Sequence, residues 1–531
     1  MLVRRRRDFF SHIAPVLRRM TAPLRVYTEL PTSILIHRVL VWQPIGLLLT
    51  AAHVLLVRES IWLYPVVPLV LAWLYSNAPL TGALVFFQFL IYQNIIVSLF
   101  SPGMDYMPTY VMLEGSNFVT LCTLSIVALN RLTTPYWWGQ LRRVTWWVLA
   151  AMGMVAFYSL IGASKAGPTS ALIYFREFGA PLLAVLVGLD LGRVWGFKTV
   201  GLAFIFSAVL AICLGVIEYL VPLNFYAWTN EVSYFQLKYT MQPEGNKFYV
   251  PEDIVKHFSN VFFNISGLSP TVSATRTQRF GGSILTMTSF AYVLSVVGLV
   301  SVSLRRSAWL LVILPLMYLE GAKGASFLLI LTLSLWGVWE LTRSKRMLVA
   351  SGVLLASTYV GSGLVIGLGN NDYHMVGFMG GVHSLVSNPL GHGIGVGGNL
   401  SSTANAGFKI DGPGGFTRLG ADFALESAVG VLFYQTGIAS LLIFAVFVTM
   451  LCNSPLGKQH GRRLLPMRQD ILPIATAMIA VNGVFQEEAY SPYAAGMIML
   501  LCSCIISNGR RQSSLYSPIT TYSPAMAGLR P

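Results

Sequence analysis

Apolar residues in this chain fall into long blocks separated by short turns, and the blocks are long enough to predict membrane helices. A transmembrane helix needs about 20 mainly apolar residues. Windows that satisfy this lie near 39–57, 60–76, 80–100, 110–130, 144–163, 171–191, 198–221, 281–303, 308–321, 325–341, 347–368, 427–451, 470–486 and 491–507. The pattern predicts an all-α polytopic membrane protein with about fourteen transmembrane helices. Two long hydrophilic gaps remain, at 222–280 and 369–426. The expected organisation is a basic segment at 1–38, a first bundle at 39–221, the first gap, a second group at 281–368, a Gly-rich second gap, C-terminal spans at 427–507 and a tail at 508–531.

Composition agrees. The 531 residues are 55% hydrophobic and only 11% charged, well below the roughly 25% charged of a soluble domain. A net charge of +15 raises the question of nucleic acid. The basic residues are spread over loops between apolar blocks and form no single stripe, so topology explains them better and no nucleic acid partner is expected. The five cysteines all sit in apolar runs, which leaves no disulfide framework and no zinc ribbon.

With a cytoplasmic N-terminus, the loops on the inner side hold Arg131, Arg142, Arg143, Arg193, Lys198, Arg305, Arg306, Arg343, Lys345, Arg346, Lys458, Arg462, Arg463 and Arg468. That asymmetry is the positive-inside pattern. It predicts that both termini are cytoplasmic and both gaps face outward. Arg4 to Arg7 superficially resemble a twin-arginine signal, but no apolar stretch follows at once, and they read better as a basic segment drawn to anionic headgroups. The last twenty or so residues, rich in Ser, Tyr and Pro, read as a loose tail.

Ionisable groups inside spans are costly and tend to mark functional cavities. Here they gather toward the outer ends. Glu114, Arg176, Glu177, Glu218, Arg276, Arg279, Glu320, Lys323, Glu426, Glu487 and Glu488 all fall there, while the inner halves are expected to carry almost nothing comparable. A pump or transporter should instead relay charge across the midplane and show related halves. Arginine matches phosphate with two parallel charge-assisted hydrogen bonds, so Arg176, Arg276 and Arg279 are candidates for a lipid diphosphate. The alternative is a structural role, by snorkelling or by pairing with Glu177, Glu114 or Glu218.

The second gap contains a glycine-dense segment from His383 to Asn399, which must turn tightly or admit another group close to its backbone. It lacks the Gly-Lys-Ser/Thr of a phosphate loop. His383 and His392 are loop candidates, better suited to a stabilising hydrogen bond than to a metal, because no matching ligand spacing accompanies them. No metal is expected. In the first gap, Pro251 to Phe258, with Val261 and Phe262 beyond, has the spacing of an amphipathic surface helix. Tyr249, Phe258 and Trp228 are candidates for stacking on sugars or for anchoring at the interface.

Several short motifs then occur in order: Arg176-Glu177-Phe178 with Pro181, Arg279-Phe280-Gly281-Gly282, Lys323-Gly324-Ala325, Asn388-Pro389-Leu390-Gly391-His392-Gly393-Ile394-Gly395, and Glu426-Ser427 followed by Tyr434-Gln435-Thr436-Gly437-Ile438. Over roughly 170–450 the chain resembles the O-antigen ligase and O-antigen polymerase superfamily of bacterial inner-membrane proteins. The resemblance implies a GT-C type, metal-independent glycosyltransferase with no cofactor. Its substrate would be undecaprenyl-diphosphate-linked oligosaccharide, as donor and acceptor, met at the periplasmic face. Carried onto this chain, Arg176 and Arg279 match the arginines that hold the diphosphate. Arg276 competes with Arg279 for that role, and Lys323 stands where many members have Arg.

Ligases place a His in a His-Asn context where this chain has Glu426-Ser427, which favours a polymerase of exopolysaccharide, capsule or O-antigen. Glu426 would then be the catalytic base and the cations would stabilise the leaving diphosphate. A chain-length regulator and a flippase are the partners that go with this reading. The other readings are a ligase acting on a lipid or protein acceptor, a lipid-linked oligosaccharide flippase or other transporter, and a peptidoglycan polymerase, whose ordered motifs are not found.

Overall fold

The computed structural model describes residues 30–240, 248–261, 276–370, 373–398, 400–401, 426–454, 456 and 468–515. Most of the basic segment at 1–38, much of the Gly-rich gap and most of the tail at 508–531 lie outside these residues. The first helices are α1 (Thr32–Glu59), α2 (Val66–Asn77), α3 (Pro79–Leu99), α4 (Val111–Leu132), α5 (Pro135–Ala166), α6 (Pro168–Val194) and α7 (Phe197–Leu220). The first gap holds α8 (Pro222–Trp228), α9 (Glu231–Lys238) and α10 (Pro251–Phe258), then a short antiparallel ladder of β1 (Ser259–Val261) on β2 (Arg276–Gln278). Next come α11 (Met287–Ser303), α12 (Leu310–Glu320), α13 (Lys323–Thr342), α14 (Lys345–Asn370) and α15 (Tyr373–Ser387). The chain closes with α16 (Ala428–Thr436), α17 (Leu441–Asn453), α18 (Ile471–Asn482) and α19 (Met497–Leu515).

Among the described residues, ten helical segments are long and apolar enough to cross a membrane, and four shorter apolar segments accompany them. This is the build of a multi-pass membrane protein. The shorter segments, Ile61–Asn77, Met287–Ser303, Ser307–Glu320 and Ile471–Asn482, overlap the other four windows, but each has only 10–17 residues and is shorter than the ten.

At the centre lie α3, α6 and α19, and α14 stands at the periphery with none of its apolar window buried. The contact between α6 and α19 is close because Gly188 and Gly192 face the backbone of the other helix. A Cβ on either would fall 2.1 Å from the Leu500 carbonyl oxygen or 2.3 Å from that of Cys504. Small residues at such crossings let membrane helices approach closely, where dispersion replaces the missing hydrophobic drive.

Three expectations are corrected. The helix expected at Pro251 ends at Phe258, and the chain turns into β1 before Val261. The second gap is partly helical, since α15 occupies 373–387 and packs on α16. The half of the bundle away from the gaps is not empty of charge. Asp190 of α6 is fully buried there and accepts from Arg131 Nη1 at 2.9 Å, Arg193 Nη2 at 2.6 Å and the Tyr75 hydroxyl at 2.9 Å. Hydropathy misses this network because, apart from Asp190 and Arg193 one turn apart on α6, its members lie on different helices and meet only in the fold. Arg131 also donates to the carbonyls of Tyr75 and Ser76, so the cluster ties α2, α4 and α6 together.

Candidate functional site

Two turns place the first cations. After β2 the chain passes through Arg279 and doubles back at Gly281-Gly282, and Glu218 of α7 holds that turn. Its carboxylate accepts from Gly281 N at 3.0 and 3.1 Å, from Gly282 N at 2.6 Å and from the Tyr226 hydroxyl at 3.1 Å. A buried carboxylate is tolerated when such donors surround it. The helix α12 ends at Gly321 in the left-handed region, φ +72°, a common way to stop a helix. Glu320 spans this corner: its Oε2 accepts from Ala322 N at 2.8 Å and its Oε1 accepts from Arg279. The corner delivers Lys323 as the first residue of α13, so the positive end of the helix dipole adds to the ammonium charge.

Glu426 lies two residues before the start of α16. The next residue, Ser427, caps that helix by accepting from Gly430 N at 2.9 Å and is anchored by donating to the Val484 carbonyl at 2.6 Å. His374 Nδ1 lies 2.9 Å from the Glu426 carbonyl oxygen and 3.7 Å from its Oε2. Below, Asn482 donates to the Gly324 carbonyl at 2.8 Å and to the Tyr292 hydroxyl at 3.1 Å. This joins α18, α13 and α11 into one floor.

Arg279, Lys323 and Glu426 line one cavity of about 410 Å³, with Glu177, Thr288, His374, Gln486, Glu487 and Glu488 also in its wall. Arg176 stands one step behind, 3.2 Å from Glu177 Oε1 and 3.6 Å from Glu114 Oε1. Arg276 contributes only its backbone to β2, paired with Val261; its side chain lies outside the described part of the structure. The histidines of the glycine segment are elsewhere. His383 lies on α15, and the His392 ring stacks on Tyr434 with centroids 4.3 Å apart; neither lines the cavity.

The glycine segment is used by the protein's own backbone. His392 N donates to the Tyr434 carbonyl at 3.1 Å and Gly393 N to that of Gln435 at 2.9 Å, where α16 breaks. Ile394 N donates to the Tyr158 carbonyl of α5 at 2.9 Å. Gly393 (φ +106°) and Gly395 (φ +96°) lie so close to α5 and α6 that a Cβ would come within 2.7 and 2.5 Å of backbone atoms. The segment also reaches the cavity: the Tyr174 hydroxyl accepts from Leu400 N at 3.0 Å and donates to Glu487 Oε1 at 2.8 Å.

Sequence reasoning missed His374, Gln486, Thr288 and Tyr174. His374 opens an apolar run within a segment read as a gap, and that run was the available signal. The other three look ordinary in sequence and gain meaning only through their neighbours. The cavity wall carries four carboxylates against Arg279 and Lys323, so it is richer in acid than a simple phosphate pocket. Among the described residues, no three His, Cys, Asp or Glu side chains are grouped so as to hold a metal ion.

Comparison with protein families, with curated proteins and with solved structures finds no match for this chain.

Proposed function

We propose that this protein is a bacterial inner-membrane polysaccharide polymerase, joining undecaprenyl-diphosphate-linked repeat units at the periplasmic face through about fourteen spans with both termini inside. The observation that supports this reading is the shared cavity: two cations, a helix N-terminus and Glu426 surround one space. In the proposed reaction, a hydroxyl of the acceptor unit attacks the anomeric carbon of the donor. The new glycosidic bond forms as the anomeric C–O bond to the diphosphate breaks, Glu426 takes the hydroxyl proton, and Arg279 with Lys323 stabilises the departing charge. Arg176 acts from behind, holding Glu177 and Glu114. The His374 ring contacts the Glu426 backbone and fixes its approach.

The test is to incubate the purified protein with a defined undecaprenyl-diphosphate repeat unit and separate the products by size. A ladder of repeats supports the polymerase. A single capped product with an added lipid or protein acceptor supports the ligase alternative, and unaltered donor refutes both.

A further inference from the structure

A second cavity, of about 650 Å³, lies between α13 and α14 on one side and α17 and α18 on the other. Its walls include Leu335, Gly352, Ala356, Leu451 and Met478, and Lys345 stands at its mouth. The cavity opens where α14 packs loosely, since the helix makes its closest contacts toward its C-terminal end. There Gly363 meets the Phe485 ring so closely that a Cβ would fall 2.3 Å from it, and Tyr359 packs on the same ring at 5.4 Å. Toward Lys345 the helix stands away: a Cβ at Gly352 would find only Leu335 Cδ1, at 4.0 Å.

The mouth is at the far end of the bundle from the polar site. Lys323 begins α13 at the site and Lys345 follows its other end, and a helix of 20 residues is about 30 Å long, the thickness of a bilayer core. Charge around the mouth is mainly positive. Arg343 pairs with Glu340 and lies 3.9 Å from Asp470. Arg468 covers the Trp336 ring at 4.6 Å, and Lys345 and Arg346 are exposed. Among the described residues near this mouth, four cations therefore stand against two carboxylates. Cavities of this size bind small ligands, and basic pockets between transmembrane helices bind anionic lipid headgroups.

We propose that this cleft is a site for an anionic phospholipid of the leaflet on the Lys345 side. One acyl chain lies between α14 and α18, and the phosphate rests against Lys345 and Arg346. The lipid fills the space that α14 leaves open and braces the loosely packed half of that helix, where Leu348 and Leu355 make partial contact with the core. This inference does not depend on the polymerase reading.

Native mass spectrometry of the full chain in detergent, with equal amounts of dioleoylphosphatidylglycerol and dioleoylphosphatidylcholine, tests it. The expected result is retention of phosphatidylglycerol with roughly thirtyfold preference, about what two interfacial cations supply at about 1 kcal/mol each. Lys345→Gln with Arg346→Gln should remove the preference, and Gly352→Leu with Ala356→Leu should remove retention while the first pair of changes leaves the protein monodisperse. Equal retention of the two lipids overturns the proposal, as does undiminished retention after the cleft is filled. A dimer whose partner helix occupies the cleft and excludes lipid also overturns it.

Discussion

Arg279 donates to Glu320 Oε1 through both Nε and Nη2, at 3.1 and 2.9 Å, although the two residues are 41 positions apart and belong to different turns. Glu320 is fully buried and Arg279 keeps a fifth of its side-chain surface open. The pair locks the turn after β2 to the corner before α13, so Arg279 and Lys323 enter the cavity as one unit. The guanidinium that would receive a diphosphate therefore already has a structural partner.

Removing one member of a buried pair costs about 3–5 kcal/mol, because the other charge is left alone. Arg279→Ala is expected to lower the melting temperature in detergent clearly more than Glu320→Gln, which keeps an acceptor. Arg279→Lys retains the charge but loses the two-pronged contact, and is expected to cut turnover at least about tenfold with a near-normal melt. Unaltered turnover in Arg279→Lys would make the arginine structural only.

Glu426 sits at the cavity with its backbone fixed by His374 and the Ser427 cap. Glu426→Gln should abolish polymer formation at unchanged protein abundance, measured by product ladders and immunoblot. His374→Gln should leave a reduced but measurable rate, since it alters the support of the proposed base and not the proposed base itself. Normal ladders from Glu426→Gln would remove it from the chemistry.

Backbone strain separates the glycines. Gly393→Ala and Gly395→Ala would force a Cβ into α5 or α6 at positive φ, and strain of this kind costs of order 1–3 kcal/mol. Both should lower yield and melting temperature. Gly153→Ala in α5 meets nothing within 4 Å, and as a helix-interior change it should be neutral or stabilising by up to about 1 kcal/mol. Comparing the three melting temperatures checks the account of the segment.

Burial and the Lys165 charge lower the His392 pKa from its ordinary 6.5. The folded state thus binds fewer protons than the unfolded one. Its contribution to stability is full above pH 6.5 and is lost as pH falls below that value toward the folded pKa. The wild type should melt earlier at pH 5 than at pH 7.5, and His392→Gln should show a smaller difference between the two.

The apolar blocks were legible because membrane insertion demands length and hydropathy, and both are written locally. Arg279, Lys323 and Glu426 were legible as candidates because charge near a span is expensive enough to need a reason. Asp190 was hidden because its cost is met by Arg193 one turn away on the same helix and by Arg131 and Tyr75, which lie distant in sequence. The glycines from Gly391 to Gly398 announced close approach, but not that the approaching group would be α5, α6 and the broken end of α16. His374 was hidden by a helix too short and too rich in Gly and Ser to register as a block.

The central claim is that this cavity grips a lipid diphosphate. Its most direct test is the affinity of the detergent-purified protein for undecaprenyl diphosphate compared with undecaprenol, for the wild type and for Arg279→Lys with Lys323→Gln. The account predicts strong preference for the diphosphate in the wild type, reduced at least about tenfold in the double variant. Equal affinity for the alcohol and the diphosphate, or a preference that survives both substitutions, would contradict it.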